Sequence, residues 1–177
     1  LQHTVTSADN EIKIISGEES IGGVFGDLNI SNMTADSYLK DVHIKCPVTG
    51  SENVGGLIGK LSVISEKTIT INNCKIASII KGETNTGGFI GLGLTACPIT
   101  FEEESSIKTS DGIAEVLGGN YTGGVLGKFE PSGNTIIIEN TSKIYCGVNI
   151  SGTTNVGGFA GCVNFNNSKS EDERTVN

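Results

Sequence analysis

Tryptophan is missing from this 177-residue chain, methionine occurs once and proline three times. With so little proline and no glycine at every third position, a collagen-like or proline-rich extended chain is excluded. Lysine and arginine total 12 against 20 aspartates and glutamates, and they form no local run. At a formal charge of −8 the chain repels polyphosphate, so nucleic acid is not expected as a partner. No apolar stretch approaches the roughly 18 to 20 residues of a spanning helix, and membrane insertion is not expected either. The chain opens at Leu1 without an initiator methionine or a signal pattern, and reads as a processed chain or a segment of a longer one.

Reactive chemistry is equally sparse. The two histidines, His3 and His43, are far apart, and no GxSxG or HExxH pattern supplies a nucleophile or a metal centre. Cys46, Cys74, Cys97, Cys146 and Cys162 form no CxxC. Their odd number leaves at least one unpaired or joined to another chain, and burial as small hydrophobes is the expectation for the rest. The acidic runs Glu102-Glu103-Glu104 and Glu171-Asp172-Glu173 are consecutive, so in a strand their side chains alternate between faces and do not pair for acid/base work. No catalytic residue, metal site or cofactor is assigned, and the chain is not read as an enzyme.

What the chain has is glycine, 25 of them, and fifteen form five copies of one Gly-Gly-x-x-Gly phrase. IGGVFGDL uses Gly22, Gly23 and Gly26; VGGLIGKL uses Gly55, Gly56 and Gly59; TGGFIGLG uses Gly87, Gly88 and Gly91. TGGVLGKF follows with Gly123, Gly124 and Gly127, and VGGFAGCV with Gly157, Gly158 and Gly161. First glycines are 33, 32, 36 and 34 residues apart, a period that marks a repeat architecture. Within each period the local pattern is short β-branched runs parted by Gly, Asn, Asp and Ser. The second unit has runs at 44–48, 54–63 and 68–72. About three short strands per coil and about five coils predict an all-β, right-handed parallel β-helix, a β-solenoid filling a single domain over 1–177. A propeller blade needs four strands per repeat and fits less well. No single coil buries enough to fold, so stability has to come from stacking.

Strict alternation puts Gly55, Leu57, Gly59 and Leu61 on the inner side and turns Phe25, Ile58, Ile90 and Leu126 outward, so either the Gly-Gly pair shifts the pleat or these four form an apolar stripe, a candidate lateral interface. The ends suggest a second contact. Residues 1–10 read as the third strand of an incomplete coil, 11–165 as five coils, and 166–177 as a polar tail without a third strand of its own. Thr4, Val5 and Thr6 are therefore expected to complete the last coil of another copy, a head-to-tail contact that builds filaments.

The succession VGGLIG, TITINNC, TGGFIG resembles the GLUG motif, a repeat of bacterial and other surface proteins. That likeness implies a β-solenoid on an extracellular adhesin-like or cell-envelope protein, in a repeat without catalytic residues. The partners expected are other copies of the chain through its ends, and glycans or cell-surface ligands. Sequons at Asn29, Asn32, Asn120, Asn140, Asn149 and Asn166 are candidate N-glycosylation sites. The alternative function is a polysaccharide-binding or polysaccharide-degrading β-helix, which needs acids beside the recurrent Lys45, Lys75 and Lys143.

Overall fold

The computed structural model describes residues 4–5, 14–102, 105–108, 114–131 and 144–164, and every regular element among them is a β-strand. Coil 2 shows the plan. Its strands are His43–Ile44, Val48–Thr49, Glu52–Gly55, Ile58–Val63 and Ile69–Asn72, and Lys75–Ile76 then begins coil 3. Strands at the same place in successive coils pair in parallel, giving sheets 1 to 5 in that order along the coil. Sheets 1 to 4 each hold five strands and sheet 5 holds three, so the molecule is a β-solenoid of about four turns.

Coils 2 and 3 contain the three runs expected per coil, but two of the three are broken. The run 44–48 divides between sheets 1 and 2, and the run 54–63 divides between sheets 3 and 4 at a bend over 56–57. The third run of the fourth unit, the Ile-rich stretch 134–140, lies outside the described residues. The glycine phrase is therefore a corner between two sheets, not one straight strand, and of the two alternatives the shifted pleat holds and the outward stripe does not. Leu57 and Ile58 are both buried, as are Phe89 with Ile90 and Val125 with Leu126, while Phe25 is half-buried against the core. The bend at the glycine pair resets the pleat. A second break follows, because the sheet 4 ladder pairs Ile58 with Ile90 and Lys60 with Leu92 but passes over Gly59 and Gly91. Leu61 thus returns to the interior, and Phe25, Ile58, Ile90 and Leu126 form no outward stripe.

The glycines are required by close approach of backbone. A Cβ on Gly55 would meet the Ile58 carbonyl oxygen at 2.0 Å, and one on Gly56 would meet the Gly88 oxygen of the next coil at 2.2 Å. One on Gly59 would run into the preceding coil, 2.5 Å from the Ile21 nitrogen. The space they leave is filled by neighbouring main chain and, at the second glycine of the first four phrases, also by side chains from another wall, as where Ile76 Cδ1 would lie 2.7 Å from a Cβ on Gly56.

Stacked columns make the core. Ile44, Ile76, Ile107 and Cys146 follow one another in sheet 1, and Val48, Ile80, Val116 and Ile150 in sheet 2. Phe89 and Phe101 meet edge to face, 5.7 Å between centroids at 82°. In sheet 4 the Phe129 ring lies over Gly93, where a Cβ would be 2.4 Å from it, so a large residue in one coil fits a small one in the next.

Thr4–Val5 does not sit where the sequence placed it. It pairs with His43–Ile44 in sheet 1, the first position of a coil, and not with the sheet 5 strands. Coil 1 therefore begins at the same point as the others, and Thr4–Val5 is not the third strand of an incomplete coil. Thr6 lies outside the described residues.

Candidate assembly surfaces on the end coils

Each corner between sheets 3 and 4 is prepared by a residue in the left-handed region: Ser20, Asn53, Asn85, Tyr121 and Asn155, with φ from 51° to 59°. Asparagine tolerates this conformation better than most residues. It also ladders, since the Asn85 amide donates to Asn53 Oδ1 at 2.8 Å. A second left-handed pair, Asp41 and Asn73, turns the chain from sheet 5 into the next coil, and the Asn73 amide donates to Asp41 at 2.7 Å. Beside it Cys74 is fully buried and its thiol donates to the Leu39 carbonyl at 3.3 Å. These columns were legible as Asn two places before Gly-Gly in three units, a signal the alternation argument did not use.

After the corner, one main-chain bond repeats at every step. Val24 N–H donates to Leu57, Leu57 to Phe89, Phe89 to Val125 and Val125 to Phe159, each at 2.9 or 3.0 Å. The series ends at coil 5, where the Phe159 N–H meets no backbone acceptor among the described residues. The side chains show the same interruption. Val156, Phe159 and Val163 are 46%, 37% and 41% exposed, whereas Val54, Leu57 and Leu61 in the same rows are at 0%. Among the described residues, coil 5 therefore presents an uncovered cross-section of the core.

Gly158 marks the edge most sharply. Cβ atoms built on Gly23, Gly56, Gly88 and Gly124 would each strike the carbonyl oxygen of the second glycine one coil on, at 2.0 to 2.3 Å, yet nothing lies within 4 Å of one built on Gly158. At the other end, Phe25, Leu28, Ile30, Tyr38 and Leu39 of coil 1 border an apolar cavity of about 280 Å³.

The fifteen phrase glycines come together as three columns along the solenoid, the first of them Gly22, Gly55, Gly87, Gly123 and Gly157 in direct register. Of the sequons, Asn29, Asn32, Asn120 and Asn149 are exposed, and Asn140 and Asn166 lie outside the described residues. Asn120 accepts a hydrogen bond from the Thr154 hydroxyl.

The outer wall of sheet 4 holds a cleft of about 410 Å³ bordered by Asn29, Ser62, Ile64, Leu94 and Glu130. Glu130 is held below the usual carboxylate range by its hydrogen bond to Lys128, 2.8 Å away, and by the Asn164 amide. Lys128 also lies 5.3 Å above the Tyr121 ring. On sheet 1, burial pushes the His43 imidazole down, with Lys45 and Lys75 adding to the effect. All five cysteines are free, and burial raises the thiols of Cys46, Cys97 and Cys146, and that of Cys74 to about 11. Among the described residues no group of three His, Cys, Asp or Glu side chains is placed to hold a metal ion, and no helix is long and apolar enough to cross a membrane.

Comparison with known proteins finds no matching family model, no matching curated protein and no matching solved structure.

Proposed function

We propose that this chain is an extracellular structural and adhesive repeat protein, a surface or filament subunit that works by shape and by end-to-end stacking of its coils. The observation that carries the reading is coil 5, where Val156, Phe159 and Val163 stand exposed in rows that are buried in coils 2 to 4. An apolar cross-section with a free ladder edge is the surface that β-augmentation uses. The likeness of the glycine phrases to GLUG repeats supports placement at a cell surface, where the exposed sequons would carry glycans.

Sedimentation over a concentration series, with electron microscopy of the same samples, tests it. The expected result is a concentration-dependent series of species and rods of one width but many lengths. A single monomeric species at the highest concentration overturns the reading. A second reading, carbohydrate binding, rests on the exposed sheet 4 cleft with its Asn29, Ser62 and Glu130 polar groups, and binding to a polysaccharide panel separates the two.

A further inference from the structure

The stacking reading leaves open which surfaces meet and in what register, and the end coils supply an answer that rests on that reading. We propose that coil 5 of one copy docks on coil 1 of a second copy in the same parallel register that joins successive coils within the chain. The main-chain series then continues without a break: the Phe159 N–H, which meets no backbone acceptor among the described residues, reaches the partner's Val24 carbonyl, as Val125 reaches Phe159 inside the chain. Gly158 gains the close carbonyl neighbour that Gly23, Gly56, Gly88 and Gly124 already have.

Side-chain size selects the second copy as the occupant. The row Phe25, Ile58, Ile90, Leu126, Ala160 begins with its largest residue and ends with its smallest. Stacking coil 5 on coil 1 brings Ala160 against the partner's Phe25, repeating the fit of Phe129 over Gly93. Val163, in the row of Leu28, meets the apolar cavity of the partner's first coil. In sheet 1, Tyr145 falls opposite the partner's Thr4 and Cys146 opposite the partner's Val5. Thr4 and Val5 thus join the contact as part of a whole coil, not as a strand filling a gap. Five coils at about 4.8 Å each give a subunit rise of about 24 Å along the filament.

The register also places Cys162 directly opposite the partner's Asp27, because Asp27, Lys60, Leu92, Lys128 and Cys162 share one outward row. Paired strands hold such residues about 4.8 Å apart, within the range a disulfide spans. Inside one chain the two positions are four coil steps apart, about 19 Å, which no disulfide bridges. The test is an Asp27→Cys variant, oxidised at a concentration where sedimentation shows association, and run on a non-reducing gel. The change removes only an exposed 3.6 Å contact to Lys60, so folding is retained.

The expected result is a reducible ladder of dimers, trimers and longer chains, strongly diminished for Asn29→Cys, which is two residues further along the strand. Gly158→Val is expected to unfold at the native temperature and, combined with Asp27→Cys, to lose the ladder. Association without a ladder, or dimers alone formed through Cys162 of the native chain, overturns the register while end stacking stands. A ladder that survives Gly158→Val also overturns it. Absence of association in sedimentation overturns the stacking reading and this inference together.

Discussion

Replacing Gly88 by alanine tests the reason for the glycine columns. A Cβ there would stand 2.0 Å from the Gly124 carbonyl oxygen and 3.0 Å from Ile107 Cδ1, while real Cβ atoms essentially never approach closer than 3.0 Å. Coils 3 and 4 therefore have to part by about 1 Å at this corner. That stretches the Gly88 N–H bond to Gly123 from 3.2 Å and the Phe89 N–H bond to Val125 from 2.9 Å beyond useful length. Two buried main-chain bonds lost or weakened cost roughly 1 to 3 kcal/mol each, so about 3 kcal/mol in total is expected. For a chain of this size that lowers the melting temperature by about 6 to 12 °C.

Gly158→Ala is the control, since its Cβ meets nothing within 4 Å and its φ is not in the left-handed range. With less entropy in the unfolded chain it is expected to melt at the native temperature or slightly above. Thermal melts followed by far-ultraviolet circular dichroism, at a concentration below association, compare the two. Equal loss in both variants refutes the claim that neighbouring coils impose the glycines.

Asn53→Ala forces alanine to φ 51° and removes the bond from the Asn85 amide, for a loss of about 2 kcal/mol, and Asn53→Gly recovers the backbone share; urea titration measures both. Iodoacetamide labelling of the native protein with peptide mapping is expected to modify Cys162 first and leave Cys74 untouched, because Cys74 is fully buried with a thiol pushed up to about 11. Lys128 lowers the Glu130 carboxyl below its ordinary 4.5, so the unfolded chain binds the proton more readily and the pair's contribution is complete above that pH. It fades as the pH falls through the folded value. Glu130→Gln is expected to cost at most about 1 kcal/mol at neutral pH, with the difference from the native chain vanishing in acid.

The solenoid itself was legible because its cause is periodic. Five spaced copies of Gly-Gly-x-x-Gly, each followed by an alternating run, admit few folds in which identical corners superpose. The inward places of Leu57 and Leu61 were read correctly, although for an incomplete reason. Alternation assumes an unbroken pleat, and the bend over 56–57 with the ladder's passage over Gly59 breaks it twice. Ile58, Ile90 and Leu126 therefore moved from a supposed surface stripe into the core.

The sequence by itself determined the repeat length, the strand character and the need for stacking, because all three follow from local propensity and from the entropy of ordering a coil. Only the tertiary structure decided which coil face Thr4–Val5 joins and which apolar residues are left uncovered at coil 5. Burial at a given row depends on whether a coil lies above it, and that is a property of neighbours distant along the chain. VGGFAGCV has the same pattern as VGGLIGKL, and what separates them is that one corner is roofed by another coil and the other, among the described residues, is not.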